Sequence, residues 1–230
     1  MHDKIKMIVA SQLSETEFRE KSLTAKSLLK YADPNLHVIV ATNNYTSLGT
    51  IYNSVIEQHK DDPAILVFIH DDVLLLDYHW PLRIKESLKK YDVVGIAGSK
   101  IRFPYQQGWG HKSIGDNPIW ADSKDVSGIV GHGSDWDSMN LTYFGELDQE
   151  VKLLDGVLLA VHSDTLHRTN VRFDPQFDFH FYDMDFCRSV EQANLRMGTC
   201  PLAIMHAGKG SFASDPWQKL YSKYIEKWKE

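Results

Sequence analysis

Short apolar runs alternate with amphipathic stretches over the first hundred residues of the chain. The apolar runs occupy residues 6–10, 36–41, 65–69 and 93–97, and the stretches between them carry apolar residues at helical spacing. A run such as ILVFI, apolar at every position, is typical of a strand that is covered on both faces. This pattern predicts an α/β fold in which a mostly parallel central sheet is joined by right-handed crossovers, with helices on both of its faces.

Three helices are predicted in this first half. One should begin at the capping box Ser14–Glu17, in which hydroxyl and carboxylate satisfy free backbone amides, and run to about Lys30. The other two are indicated by single apolar faces, formed by Leu48, Ile51 and Val55 and by Trp80, Ile84 and Leu88.

The second half begins with an irregular region, residues 101–150, in which we expect loops and short antiparallel strands near 126–130 and 141–147. Residues 153–161 then predict a buried strand that is interrupted at Asp155-Gly156, and residues 202–205 predict another. A helix is expected over 183–196 with Gly198 as its C-cap, and a last amphipathic helix should start at Asp215-Pro216. Because no linker divides the chain, we expect a single domain over residues 1–230.

Composition narrows the classes of protein that remain. The chain has 230 residues and a formal net charge of −6, so no broad basic surface for nucleic acid is expected. No run approaches the roughly 20 apolar residues of a membrane span, and the apolar run near the N-terminus is shorter than a signal peptide requires. We therefore expect a cytoplasmic protein, with peripheral membrane contact left open. Cys187 and Cys200 indicate neither a disulfide framework nor a CxxC metal site.

The sharpest chemical motif is His70-Asp71-Asp72, directly after the ILVFI strand. In open α/β sheets ligands bind beyond the carboxyl ends of strands. Two carboxylates and an imidazole placed there lose hydration, and the carboxylates repel one another, unless a bound cation offsets this unfavourable free energy. A divalent cation at this place would also bind a diphosphate. The alternative is structural, in that Asp71 or Asp72 caps the following turn.

A second acidic motif, which contains His180, Asp183 and Asp185, precedes and opens the predicted helix over 183–196. An oriented carboxylate at Asp183 could act as a general base on a hydroxyl, whereas N-capping is the alternative use of an aspartate there. We expect Asp185 instead to interact with the helix dipole or to form a salt bridge.

Three further features are candidates for ligand contacts. His206 ends a buried strand beside the flexible segment Gly208-Lys209-Gly210, where backbone amides and a lysine could meet a phosphate. Asp155-Gly156 indicates either a simple bulge or a close backbone approach to a ligand. Aromatic residues of the irregular region suit sugar rings or a satellite core, and they are Trp109, Trp120 and Trp136.

The order of these motifs resembles the family-2-like glycosyltransferases of GT-A fold, in particular their short "glycosyltransferase-like family" domains, over nearly the whole chain. The resemblance implies one GT-A domain, with a nucleotide-binding half at residues 1–100 and an acceptor-side half at 101–230. In that family a DxD-type motif holds Mg²⁺ or Mn²⁺ on the diphosphate. Here VFIHDDV takes its place, so that His70 stands where the first acid is expected. The family's Glu-Asp pair, which supplies the base, is matched by Tyr182-Asp183.

The resemblance also implies a role for each candidate residue. Asp183 would be the catalytic base. The metal ligands would be Asp72, His206 and His70. The nucleotide and diphosphate contacts would be Ser11, Asn43, Asn44, Asp71 and Lys209. The sugar and acceptor contacts would be Asp155, Gly156, Trp109 and His180.

Taken together, these assignments imply an inverting, Mn²⁺- or Mg²⁺-dependent hexosyltransferase-like enzyme. It would move a sugar from a UDP- or GDP-sugar to a hydroxyl of a saccharide or another acceptor. Two functional alternatives stay open, namely a non-catalytic nucleotide-sugar-binding module and a metal-dependent hydrolase or nucleotidyltransferase. A third alternative is an unrelated α/β domain whose aspartates only cap helices.

Overall fold

The structure is a computed structural model that describes residues 4–30, 36–114, 117–134, 138–208 and 213–229. Its strands are β1 (Ile5–Ala10), β2 (Leu36–Ala41), β3 (Ile65–Ile69), β4 (Val73–Leu75), β5 (Val93–Gly95), β6 (Ala97–Ser99), β7 (His111–Ile114), β8 (Asn117–Trp120), β9 (Val126–Gly133), β10 (Met139–Gly145), β11 (Glu150–Val151), β12 (Leu153–Leu154), β13 (Leu158–His162), β14 (Met197–Thr199) and β15 (Ile204–His206). Its helices are α1 (Glu15–Lys21), α2 (Leu23–Leu28), α3 (Leu48–Gln58), α4 (Trp80–Ser87), α5 (Ser163–Thr169), α6 (Tyr182–Gln192) and α7 (Asp215–Trp228).

Seven strands form the central sheet, in the order β11-β14-β5-β13-β3-β1-β2. Strand β1 is parallel to β2 and β3, and β14 is parallel to β5. Strand β13 inserts between β3 and β5 and runs antiparallel to both. The predicted α/β class is confirmed, and the sheet is mixed because a strand from the second half enters between two strands of the first.

The two faces of this sheet build two hydrophobic cores. Along β3, Leu66 and Phe68 belong to the core beneath α3, α6 and α7, while Ile65, Val67 and Ile69 belong to the core beneath α1, α2 and α4. This division follows from the period of two along a strand, and it explains why every residue of ILVFI is apolar and buried.

A second sheet, of order β12-β6-β9-β15-β4 with β10 beside β9, receives chain directly from the first. Strand β3 of the first sheet is followed by β4 of the second, and β5 is followed by β6, so the predicted strand over 93–97 is two strands. The chain returns from β12 to β13 at residues 155–157, where the predicted interruption is confirmed. The predicted antiparallel pair in the irregular region is also confirmed as β9 and β10.

Two predicted helix boundaries are wrong. The helix expected from the Ser14–Glu17 capping box to Lys30 starts as predicted but divides at Ser22, which is extended and caps α2 by accepting a hydrogen bond from the amide of Ala25. Helix α6 ends at Gln192, and Gly198 lies in β14, where a side chain would collide with the ring of Tyr91.

The last helix, α7, packs on α6 through apolar and charged contacts. Trp217, Leu220 and Tyr224 of the predicted stripe are buried. Lys227 Nζ lies 2.7 Å from the buried carboxylate oxygen Oδ1 of Asp185, so the expected salt bridge of this aspartate is confirmed. At 14 residues α7 is the longest helix in the described ranges, and none of them is long and apolar enough to cross a lipid bilayer.

The aromatic cluster beneath α3 and α6 generates a stability prediction. Phe173 is 1% exposed and stacks on Phe186 with ring centroids 4.1 Å apart. We expect Phe173→Ala to lower the free energy of unfolding by about 3–5 kcal/mol, because burial and packing are both lost. Phe179→Ala is the matched control, since Phe179 is 52% exposed and should change stability by no more than about 0.5 kcal/mol. Urea unfolding with equal midpoints for the two variants would contradict this picture.

Candidate active site

The turn His70-Asp71-Asp72 lies where the chain leaves β3 of the central sheet and enters β4 of the second. The start of α2 holds its backbone. Ser22 Oγ donates to the carbonyl of Asp71 at 2.6 Å, and Thr24 Oγ1 donates to the carbonyl of His70 at 2.6 Å. The turn is therefore fixed by a neighbouring helix, which leaves the three side chains free to face the carboxyl edge of the sheet.

His70, Asp72 and His206 meet in one cluster. Strand β15 runs antiparallel to β4 and places His206 opposite Val73, next to Asp72. Asp72 Oδ1 lies 3.3 Å from His206 Nε2 and 4.0 Å from His70 Nδ1. One potential ligand atom from each of the three residues lies within 4.8 Å of the others. These are the three residues that the family resemblance assigned as metal ligands, and the structure places them side by side.

The donor set fits a divalent cation. Asp72 Oδ1 is buried and, apart from the ion-pair contact with His206 Nε2 at 3.3 Å, has no hydrogen-bond partner among the residues that the structure describes, although a buried carboxylate oxygen normally has one. Gly208 leaves the space beside the cluster open, because a Cβ there would stand 2.6 Å from His206 Nε2 and 2.9 Å from Asp72 Oδ2. Two imidazoles and one carboxylate are ligands that a first-row transition metal accepts.

Electrostatics keeps Asp72 ionised within this cluster. Burial raises the pKa of Asp72, but the neighbouring His206 more than offsets it, so that the pKa lies below its ordinary value. Burial lowers the pKa of His206, and Asp72 reverses this effect and raises it. For His70 burial dominates and lowers the pKa, which favours a neutral imidazole.

Asp183 lies in the first turn of α6 without capping it. The N-cap is Phe181, in the left-handed region at φ 64°, so Asp183 is not the N-cap residue of α6. Its Oδ2 accepts from the amide of Gly156 at 3.0 Å and its Oδ1 from the amide of Met184 at 2.8 Å. Burial, together with the charge of Asp155, raises the pKa of Asp183 to about 7. A carboxyl group with such a pKa is suited to general base chemistry near neutral pH.

Tyr182 connects the cluster of His70, Asp72 and His206 to the loop that holds Asp183. Its hydroxyl donates to the carbonyl of Gly156 at 2.9 Å and lies 2.8 Å from His70 Nε2. A Cβ on Gly156 would stand 2.2 Å from this hydroxyl and 2.9 Å from Asp183 Cβ. Glycine is therefore required where the chain returns to the central sheet, and the interruption at Asp155-Gly156 is a close approach between protein segments.

Three adjoining cavities form one cleft along this edge of the sheet. The first, of about 710 Å³, is lined by Ser11, Asn44 and Asp71 among others. The second, of about 270 Å³, contains Asp71 together with His70, Asp72 and His206, and the third, of about 220 Å³, contains His70 and Asp183. Phe179 borders all three. Phe179 was not among the predicted site residues, because the segment that contains it was interpreted through its acids and its histidine.

The predicted nucleotide contacts are only partly brought together. Ser11 is buried and donates to the carboxylate of Asp71. Asn44 lines the first cavity, but its amide is engaged in a local turn with Thr46. Asn43 is exposed, left-handed at φ 49° and outside the cavity lining, because its backbone turns back to bond Leu13. Lys209 lies outside the described residues.

The predicted acceptor contacts all line the third cavity. They are Asp155, Gly156, Trp109 and His180. Trp120 packs edge-on against Trp109 with centroids 5.8 Å apart, so it supports the cavity wall from behind, and Trp136 lies outside the described residues. His111 and Trp217 also line this cavity and were not predicted there, since His111 stands in no recognisable motif and Trp217 was assigned to the apolar stripe of the last helix.

The sequence matches the model of the Glycosyltransferase like family over residues 8–224. The chain belongs to this family. No curated protein matches it at a significant level.

Solved structures of low identity show that the chain has the GT-A fold. The S. aureus TarS fragment 1–349 in complex with UDP-GlcNAc aligns with a TM-score of 0.52 and 13% identity, over 96% of this chain and 66% of the fragment. GalNAc-T7 with UDP, GalNAc and Mn²⁺ aligns with a TM-score of 0.58 and 11% identity, over 97% of this chain and 47% of that one. The chain therefore spans only part of the length of each structure, 66% of the TarS fragment and 47% of GalNAc-T7.

The proximity of Asp155 to Asp183 yields a prediction about charge. The negative charge of Asp155 is one of the two causes that raise the pKa of Asp183 to about 7. Removing that charge favours the ionised form of Asp183, so Asp155→Asn should lower this pKa and leave Asp183 ionised at a lower pH. Titration of the carboxyl carbon of Asp183 by ¹³C NMR measures the shift. Asp122→Asn, on a largely exposed side chain, is the control. An unchanged or higher pKa in Asp155→Asn would contradict the electrostatic account.

Proposed function

We propose that the protein transfers a sugar from a nucleoside-diphosphate sugar to an acceptor hydroxyl, in a metal-dependent reaction that inverts the anomeric carbon. The observation that carries this proposal is the convergence of His70, Asp72 and His206 at the junction of two cavities, one of which also contains the buried carboxylate of Asp183. Family membership agrees with transfer of a glycosyl group.

The nucleotide is assigned to the first cavity. Its volume of about 710 Å³ falls in the range of pockets for ligands of this size. Residues 10–13 and 44–48 supply most of its lining, which supports the assignment of nucleotide binding to the first hundred residues. UDP-sugars are the first donors to test because TarS, a protein of the same fold, has been solved with UDP-GlcNAc.

The diphosphate is assigned to the second cavity, beside the cluster of His70, Asp72 and His206. His70, Asp72 and His206 would hold the cation, which when bound would neutralise charge that develops on the departing diphosphate. Mg²⁺ prefers oxygen ligands, whereas a site with two nitrogen donors suits a transition metal better. We therefore propose Mn²⁺ in preference to Mg²⁺.

The acceptor is assigned to the third cavity. Trp109, Phe179 and Trp217 give it apolar faces on which a saccharide ring can pack, and none of its described lining residues is lysine or arginine. Asp183 removes the proton from the acceptor hydroxyl. The resulting oxygen attacks the anomeric carbon while the bond from that carbon to the diphosphate oxygen breaks, and the bonding electrons leave with the nucleoside diphosphate.

The first functional prediction concerns Asp183. In Asp183→Asn, transfer and slow hydrolysis of the donor should fall by at least 100-fold, because an amide cannot accept the proton, while UDP should bind with nearly native affinity. UDP-glucose, UDP-galactose and GDP-mannose are the donors to screen, with product analysis by mass spectrometry.

The matched control is Asp215→Asn, which makes the same change in the first turn of α7 on an exposed residue. Native rates in Asp183→Asn would contradict the assignment of Asp183 as the base. Intact UDP binding without turnover of any donor by the native protein would favour a binding module over an enzyme. Phosphate or pyrophosphate as the product of the native protein would favour a hydrolase or nucleotidyltransferase.

The second functional prediction concerns the proposed metal ligands. UDP with Mn²⁺ should raise the thermal midpoint of the native protein more than UDP with Mg²⁺, because we expect Mn²⁺ to bind more tightly to the two imidazoles. A ligand at 100 times its Kd adds about 2.7 kcal/mol to the free energy of unfolding, so the shift is measurable. In Asp72→Ala and His206→Ala the Mn²⁺-dependent part of this shift should disappear.

His37→Ala is the control, because His37 is an exposed histidine on β2, remote in sequence from the cluster. If His206→Ala and Asp72→Ala retain the full Mn²⁺-dependent shift, the cation binds elsewhere and the metal assignment fails. If native protein shows no shift with UDP or GDP under either cation, a nucleotide-independent α/β domain is favoured.

A further inference from the structure

We propose that Tyr182 is a positioning residue that holds His70 in the Nε2–H tautomer and so presents Nδ1 of His70 to the cation. This inference rests on the metal site of the proposed function and assigns to Tyr182 a role that the sequence pattern does not contain. It is carried by two hydrogen bonds that meet at one hydroxyl group.

The direction of these two hydrogen bonds is fixed by their partners. The Tyr182 hydroxyl lies 2.9 Å from the carbonyl oxygen of Gly156, which can only accept, so the single hydroxyl proton is used there. His70 Nε2 lies 2.8 Å from the same hydroxyl oxygen and must therefore donate to it. A neutral imidazole carries one N–H, and with Nε2 protonated the lone pair is on Nδ1.

The opposite tautomer would be costly at this place. With the proton on Nδ1, Nε2 would need the Tyr182 proton, and the carbonyl of Gly156 would lose the one donor that it has among the described residues. Tyr182 is 2% exposed and Gly156 is buried, so water does not replace the lost bond freely. Leaving a buried acceptor without a partner is unfavourable enough to set the tautomer.

The lone pair of Nδ1 is then on the side where a ligand is needed. Nδ1 lies 4.0 Å from Asp72 Oδ1, and the His70 and His206 rings are 5.8 Å apart. The Phe179 ring stacks against the His70 ring at 27° with centroids 5.8 Å apart, which restricts the rotation of the imidazole. A ligand histidine whose second nitrogen is bonded in this way is held in orientation before the cation arrives.

The same contact explains two departures from the family pattern together. His70 stands where an acid is expected and Tyr182 stands where a glutamate is expected, and these two replacements are hydrogen-bonded to each other. Both groups are neutral, whereas an additional carboxylate here would be buried close to Asp155 and Asp183 and would be repelled by them. His70 and Tyr182 therefore form a hydrogen bond of defined direction at positions where the family pattern has two negatively charged acids.

The test combines a spectroscopic and a binding measurement on the full chain at pH 8. Long-range ¹H–¹⁵N correlation spectra of histidine-labelled native protein should show His70 with its proton on Nε2. In Tyr182→Phe, which keeps the buried ring, we expect a mixture of both tautomers. Mn²⁺ affinity in the presence of UDP, measured by electron paramagnetic resonance, should fall roughly 10- to 100-fold.

Tyr52→Phe is the matched control, because Tyr52 is also a fully buried tyrosine of the same aromatic cluster, 6.2 Å from the Tyr182 ring, and it should change neither readout. A native spectrum with the proton on Nδ1 would overturn the assignment even if Tyr182→Phe did not fold. Unchanged tautomer and Mn²⁺ affinity in a folded Tyr182→Phe would overturn it as well. Native-like Mn²⁺ binding by His70→Ala would instead remove His70 from the metal site of the proposed function, a failure that the tautomer spectrum distinguishes from failure of the Tyr182 assignment.

Discussion

The crossing of the chain between two sheets is the constraint on which the cleft depends. At residues 70–72 and 155–157 the backbone leaves the hydrogen-bond ladder of one sheet before it enters that of the other. Buried backbone groups need partners, and here side chains provide them, Ser22 and Thr24 at the first crossing and Tyr182 at the second. The polar residues at the two crossings therefore belong to the architecture as well as to the proposed chemistry.

This arrangement brings charged groups together at a cost that the protein offsets locally. Asp72 is stabilised by His206, whereas among the described residues Asp183 accepts hydrogen bonds from backbone amides alone, and burial and Asp155 favour its neutral form. The pKa values of the two carboxyl groups therefore shift in opposite directions although the groups line adjoining cavities. A carboxylate kept ionised suits a cation and a diphosphate, while one that titrates near neutrality suits the transfer of a proton.

The site was predictable from the sequence to the extent that its residues stand at strand ends. His70-Asp71-Asp72 and His206 each end or follow a buried run, and Asp183 opens a helix, so their convergence at one edge could be inferred. Asn43 was also predicted there, but a left-handed turn takes it out of the cavity lining. Phe179 and Tyr182 were not assigned roles, because an aromatic residue among other aromatics carries no signal of whether its ring faces the core, the cleft or another side chain.

Local sequence determined most of the helix starts, the alternation of strands and helices, and the α/β class, since each depends on neighbours within a few residues. Tertiary structure alone decided that β13 enters the central sheet antiparallel, that three strand runs change sheets, and that the first predicted helix divides at Ser22, whose hydroxyl holds the turn at residue 71. It also decided the tautomer of His70, through a hydrogen bond between residues that are 112 positions apart. Contacts over such separations depend on how the packed elements meet, and this is not encoded in the periodicity of any single segment.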